Sequence, residues 1–256
     1  MSYFERIDGS AFQATHHVSG GWNTSEQHIA PAMGLLAHVV ELDRDARRSD
    51  NLVLGRLSFD IYGTIPVDVV ETEVRVLRAG RSIELVEAVL SHRGRAAASL
   101  RAWLMQRYES APYAGTPLPR IPPPDEMRRW DPSSAWPGDF LSSVEVRRAQ
   151  AQPGRAGFWI RTGHALVGGE QASPLARAAG LLDLANGMTV RADPRSVMFP
   201  NLDLTAHFFD NPDEEWIGFD TSVSFGSNGT GVTNSVVHAA SGPIGTVAQM
   251  LTVRPR

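Results

Sequence analysis

HIAPAMGLLAHVVELDRDA, residues 28–46, is the long helical pattern of the first half of the chain. Pro31 stands where a first-turn proline is tolerated. Met33, Leu36 and Val40, with Leu35, Val39 and Leu42, recur every three to four residues and make one face apolar. Alternation replaces that period immediately afterwards. LSFDIYG (57–63), VETEVRV (70–76), SIELVEAVL (82–90) and AAASLRAWLMQ (96–106) read as strands, separated by the turn segments RAGRS and HRGR. The order is one helix, then an antiparallel meander.

The second half repeats that order. SPLARAAGLLDLANG (173–187) predicts a helix over 174–186, with Ser173 as N-cap, Pro174 at N1 and Gly187 as C-cap. LDLTAHFF (202–209), WIGFDTSVSF (216–225), GVTNSVVHA (231–239) and IGTVAQMLTVR (244–254) follow as strands. Eight of the 17 prolines fall between Pro112 and Pro137, a composition that favours extended conformations over helix or pairing strand. The expected division is therefore 1–107, a linker at 108–137, and 138–256. GLLA (34–37) lies over GLLD (180–183), RLSFDIY over NLDLTAH, and SLRAWLMQR over TVAQMLTVR, so the chain reads as an internal duplication of α+β class.

Composition removes much chemistry. The 256 residues are 42% hydrophobic and 20% charged, with a net charge of -4. That balance implies a globular chain with no overall basic field to draw nucleic acid or anionic membrane. All 24 basic residues are arginine and there is no cysteine. Schiff-base lysines, thiolate metal sites, disulfides and cysteine nucleophiles are thereby excluded. No apolar run reaches the roughly 20 residues of a membrane span, and MSYFERIDGS lacks a signal-peptide pattern, so a cytoplasmic protein is expected. GxSxG, GxGxxG and GxxxxGK[ST] are absent.

Two polar residues stand out on apolar faces. Asp183 lies between Leu182 and Leu184 within the expected helix, on a stripe with Ala176, Gly180 and Gly187 that leaves room beside the carboxylate. The alternative is that these small residues admit a strand or partner helix and Asp183 is merely solvated. Gln249 alternates with Val247, Leu251 and Val253, so a buried strand face would require it to find partners; an exposed strand end would not. Under the overlay the first half carries Ala37 and Ala102 at these positions, which suggests one polar cleft and one emptied one. His38 and Glu41 read as a surface pair without a third ligand, and adjacent His16 and His17 would point to opposite faces of a strand. GSNGTG (226–231) and the Arg78/Arg81 turn read as hairpin loops.

The chain resembles the double-hotdog acyl-CoA thioesterases, a superfamily that includes bacterial acyl-CoA thioesterase II. The resemblance rests on QHIAPAMGLLAHVV, PVDVVETEVRVLRAGRSIELVEAVL with its RAGR turn, the Pro-rich connection, GLLDLANG, NLDLTAHFF and the closing TVAQMLTVRP. It implies two hotdog units, each a long helix wrapped by a curved antiparallel sheet. It implies as catalytic residues an Asp on the second helix, falling on Asp183, and a Gln on the last strand, falling on Gln249. The family's Thr or Ser falls on Asn201, a departure: the amide could hold a water in its place, Thr205 could supply the hydroxyl, or the site could be impaired. Strand alternation groups Asn201 with Asp203, Thr205 and His207.

The implied activity is hydrolysis of an acyl-CoA or related acyl thioester by a held water, with Asp183 as base, Asn201 and Gln249 orienting the water, and backbone N–H groups near a helix N-terminus polarising the carbonyl. His28 and Thr205 are the expected substrate-binding residues. A homo-oligomer is expected, and no metal or redox cofactor is indicated. Two alternatives stay open. One is a hotdog enoyl-thioester hydratase, for which Asn23 and His28 in WNTSEQH would form an Asn/His pair; the other is a non-catalytic acyl-thioester-binding protein.

Overall fold

The computed structural model describes every residue of the chain except 51, 213 and 214. Strands β1 (Ser2–Arg6) and β2 (Ala11–Ala14) precede helix α1 (Ile29–Arg47), which is followed by β3 (Val53–Ile61), β4 (Val69–Arg78), β5 (Ile83–His92) and β6 (Arg95–Met105). Next come β7 (Arg128–Trp130), α2 (Asp139–Ser142), β8 (Val144–Gln152), β9 (Arg155–Thr162), β10 (Ala165–Val167), α3 (Pro174–Ala179) and α4 (Leu184–Met188). The chain closes with β11 (Val197–Met198), β12 (Asp203–Phe208), β13 (Ile217–Phe225), β14 (Thr230–Ala239), β15 (Gly242–Thr252) and β16 (Arg254–Pro255).

Among the described residues one sheet runs β10-β1-β2-β4-β5-β6-β3-β12-β15-β14-β13-β9-β8-β7, and β11 with β16 forms a separate ribbon. Among the described residues only β1 against β10 is parallel. Outward from its centre the order reads alike on both sides: β3-β6-β5-β4-β2-β1 and β12-β15-β14-β13-β9-β8. At that centre β3 and β12 run antiparallel with Ser58 opposite Thr205. Among the described residues no helix is long and apolar enough to cross a membrane.

Helix α1 packs on β4, β5 and β6 and crosses α3. Of the apolar positions expected from its period, Met33, Leu35, Leu36, Val39 and Val40 are buried and Leu42 is exposed; Ala30, Ala32 and His38 are buried too, because sheet and second helix enclose the first part of the helix from opposite sides. The crossing is set by glycine. A Cβ on Gly34 would lie 2.9 Å from the Gly180 Cα and 3.0 Å from the Ala176 carbonyl oxygen. Gly34→Val is therefore expected to cost about 1–3 kcal/mol by overpacking, a loss of several degrees in a thermal melt. An unchanged melting temperature would show that the helices separate freely here.

Several sequence expectations are corrected. The helix expected over 174–186 is interrupted: α3 ends at Ala179 and α4 begins at Leu184. Leu181 N–H bonds the Ala178 carbonyl and Leu184 N–H the Leu181 carbonyl, the tighter i to i−3 pattern of a turn. Ser173 caps α3 by accepting from Ala176 N–H, but Gly187 lies inside α4, which Thr189 closes. His38 is buried rather than on the surface, and bonds Glu170 at 2.9 Å; Glu170 also takes the Arg6 guanidinium, which holds its carboxyl down at about 2. His16 and His17 sit in a 3-10 turn with ring centroids 3.8 Å apart, not in a strand. The Pro-rich stretch contains one short pairing strand, β7, and is packed down: Trp159 Nε1 donates to the Pro122 carbonyl, while Met127 and Trp136 are buried.

Candidate active site

The break between α3 and α4 places Asp183 at the first position before α4, where its side chain caps no helix N–H. One strand and the segment leading into another supply its partners. Asn201 precedes β12 and forms an isolated bridge to Leu251, so the alternation that grouped it with Asp203 and Thr205 stops short of it. Its Nδ2 donates to Asp183 Oδ1 at 2.6 Å and to the Asp203 carbonyl at 3.0 Å. Gln249, in the middle of β15, donates from Nε2 to the same Oδ1 at 2.9 Å. Both amides thus engage one carboxylate oxygen, while Oδ2 faces His28 Nδ1 at 3.7 Å.

Electrostatics follow from burial. Asp183 is 4% exposed and Gln249 2% exposed. Loss of hydration pushes the Asp183 carboxyl up to about 6, against the opposing pull of the Asn201 and Gln249 amides. His28 is pushed down to about 4 by burial. Its Nδ1 accepts from Ala30 N–H at the start of α1. The imidazole is therefore neutral at pH 7 with its proton on Nε2, and the approach to Asp183 is not an ion pair. A carboxyl titrating near 6 with one oxygen fixed and the other free is suited to take a proton from a nearby water.

The carboxylate opens on a cleft of about 330 Å³ lined by Gly20, Gly21, Trp22, Gln27, His28, Trp136, Leu184, Met188, Met198, Asn201 and Arg254, among others. That size and mixture of apolar wall and few polar groups suit a small-molecule site. Trp22, Trp136 and Phe199 pack edge to face, with centroids 4.9 to 5.7 Å apart. Trp136 Nε1 donates to the Gly187 carbonyl, so the end of the Pro-rich stretch builds one wall. Gly20 and Gly21 have positive φ, and a Cβ on Gly138 would lie 2.2 Å from the Gly20 Cα; only glycine permits this crossing at the lip.

The structure thus brings together Asp183, Asn201, Gln249 and His28. It does not bring Thr205. That hydroxyl meets Ser58 Oγ at 3.0 Å on the β3–β12 seam and borders a separate groove with Arg155, His207 and Asp220. Thr205 points outward because Leu204 and Ala206 take the buried face of β12. Sequence reading missed Gln27, Trp136 and Arg254 as cleft residues; the GGW run at 20–22 was the available signal.

Comparison with known proteins shows the family and the fold. Residues 119–253, more than half of the chain, match the model of the acyl-CoA thioesterase C-terminal domain, and residues 18–105 match that of the acyl-CoA thioesterase N-terminal domain. This chain belongs to the acyl-CoA thioesterase family. No curated protein matches this family member in sequence. Among solved structures, a protein of unknown function with a hot dog fold from Alicyclobacillus acidocaldarius aligns with TM-score 0.75 at 17% identity, covering 97% of this chain and 95% of that one. The acyl-CoA thioesterase II TesB2 from Mycobacterium marinum aligns with TM-score 0.70 at 14% identity, covering 99% and 96%. The tesB protein MAP1729c from Mycobacterium avium subs paratuberculosis gives 0.65 at 15%, covering 98% and 96%. At such identities the likeness shows the fold, which is the hotdog fold.

Proposed function

We propose that this thioesterase-family protein hydrolyses an acyl-CoA thioester to free acid and thiol, with Asp183 as general base. The observation that carries the reading is a buried carboxyl, one oxygen held by Asn201 and Gln249 and the other free, at the floor of an apolar cleft. Asp183 Oδ2 takes a proton from water as the water oxygen attacks the carbonyl carbon. The N-terminus of α1, where His28 and Ile29 line the cleft, stabilises the oxyanion with the positive end of its dipole. Collapse of the tetrahedral adduct breaks the C–S bond, and the departing sulfur receives the proton from Asp183. Asn201, in the place of the family's hydroxyl, works here as a donor to the carboxylate.

The same reading makes the molecule a double hotdog, residues 1–107 and 138–256 joined by 108–137. The mirrored strand order about β3 and β12 supports it. Ala37 and Ala102 then stand in the unit that has lost its polar cleft, and bacterial fatty acid metabolism in the cytoplasm is the setting that the resemblance suggests.

Arginines at the rim fit a polyanionic carrier. Arg254 lines the cleft, and Arg195 and Arg256 line the adjoining groove that shares Gly21, Trp22 and Trp136. Arg256 lies 6.0 Å from the Trp22 ring centroid, and among the described residues none of the three arginines has an ion pair. Arg254→Gln with Arg256→Gln is expected to raise KM for an acyl-CoA several-fold while leaving acyl-pantetheine, which lacks the phosphates, unchanged. Equal effects on both substrates would remove the arginines from carrier recognition.

A hydratase remains the second reading because His28 and Asp183 both line the cleft, 3.7 Å apart, although Asn23, expected to pair with His28, instead accepts from Ser25. Thiol release from a panel of acyl-CoAs, read with a thiol-reactive dye against no cysteine background, tests the proposal. Release supports the thioesterase. Loss of enoyl absorbance without release would mark a hydratase, and neither, with ligand-raised melting temperature, a binding protein.

A further inference from the structure

Thr233 sits opposite Gln249 in the β14–β15 pair, and both side chains face the interior, 0% and 2% exposed. Gln249 Oε1 and Thr233 Oγ1 are each buried with no hydrogen-bond partner. One is an acceptor and the other carries a donor, and opposed side chains on one sheet face lie within reach of a single bridging water. The two neighbours of Thr233 on the same sheet face offer it no free hydroxyl. Thr233 is flanked across the sheet by Val223, and the hydroxyl of Ser235, next on the same face, is engaged with Thr221 at 2.7 Å.

We propose that Thr233 is a positioning residue: its hydroxyl holds Gln249 Oε1 through one bridging water, and so fixes which end of the amide faces Asp183. The two ends of a glutamine amide are nearly equal in size but opposite in hydrogen bonding. Turned over, Gln249 would set Oε1 against Asp183 Oδ1 and remove a donor from the carboxylate. The orientation with Nε2 toward Asp183 favours the ionised acid; the reversed orientation favours the protonated one. By binding Oε1, Thr233 keeps Asp183 available as a base. His28 is the titratable side chain that faces Asp183, and being neutral it does not substitute for this control.

This inference rests on the reading of Asp183 as base, but its test does not depend on turnover. The titration of the Asp183 carboxyl, followed by ¹³C NMR of labelled aspartate and assigned with Asp183→Asn, is compared in wild type, Thr233→Val and Thr233→Ser, together with kcat against pH. Thr233→Val is expected to raise the midpoint by roughly half to one pH unit and to lower kcat at pH 6 by about two- to five-fold with KM little changed. Thr233→Ser is expected to restore both. If Val does not fold, Thr233→Ala, which adds no bulk, carries the same expectation. A folded Val or Ala variant with an unmoved Asp183 midpoint overturns the proposal; absence of thiol release from the wild type would overturn the thioesterase reading and leave the NMR comparison to decide this one.

Discussion

Asp183→Asn is expected to yield a protein that is more stable at pH 7 and slower in kcat by on the order of 10²–10⁴. Both effects have one cause. Asparagine keeps an oxygen for the Asn201 and Gln249 amides, so the local hydrogen bonds persist, but it takes no proton from water. The carboxyl is pushed up to about 6 by burial, well above its ordinary value. The native state therefore binds this proton more tightly than the unfolded chain. Stability falls as pH rises from the ordinary carboxylate range through about 6, and stays at the lower level above that. At pH 7.5 the Asn variant escapes this penalty, on the order of 1–3 kcal/mol, and should melt several degrees higher; near pH 4 the difference should shrink. Thermal melts at the two pH values check the stability half and thiol release the catalytic half. A variant that is inactive and also less stable at pH 7.5 would mean that the carboxylate holds the fold rather than straining it, the opposite of the usual trade between stability and activity.

Gln249→Leu is expected to lower kcat at pH 7 by on the order of 10–100-fold, with part of that loss recovered toward pH 9. The leucine removes one of two donors from Asp183 Oδ1 within a buried site. Loss of a hydrogen bond to a charged group corresponds to about 1–2 pH units, so the acid limb of the rate profile should move upward by that amount. The pH profile is the informative part. A loss of equal size at every pH, with an unmoved limb, would place Gln249 on the attacking water, as sequence resemblance implies, instead of on the carboxylate, as the geometry does.

Much of this site was readable before any coordinates, for a physical reason. Asp183 and Gln249 violate the pattern of the elements that carry them, an acid amid leucines and an amide on an apolar strand face, and such violations mark polar groups that need partners. The regular strands β3 to β6 and β12 to β15 were readable because alternation over nine or so residues is a strong signal. The strands β1, β2 and β8 were not read: β1 and β2 are short, and VEVRRAQAQ in β8 carries polar residues on both faces near the sheet edge; β9, RAGFWIRT, was missed because its consecutive buried Phe158, Trp159 and Ile160 break the alternation. The interruption at Gly180–Asp183 was hidden because local propensity favours one continuous helix, and the close crossing of Gly34 on Gly180 overrides it. Thr205 was misplaced for a related reason. Alternation identifies a face, but which face meets the cleft depends on where the strand ends, and β12 begins only after Asn201 has turned toward Asp183. Trp136 could not be reached from period at all, since it arrives from a proline-rich segment whose path is set by tertiary packing.

The central claim, that Asp183 is the base of a thioester hydrolysis, is tested most directly by initial rates of thiol release from the best acyl-CoA substrate between pH 4.5 and 9, in wild type and in Asp183→Asn. The account predicts a wild-type rate that falls below about pH 6, where the buried carboxyl takes up its proton, and an Asn variant that has lost both the rate and the limb. A flat wild-type profile, or a folded Asn variant that keeps the wild-type rate, would contradict it.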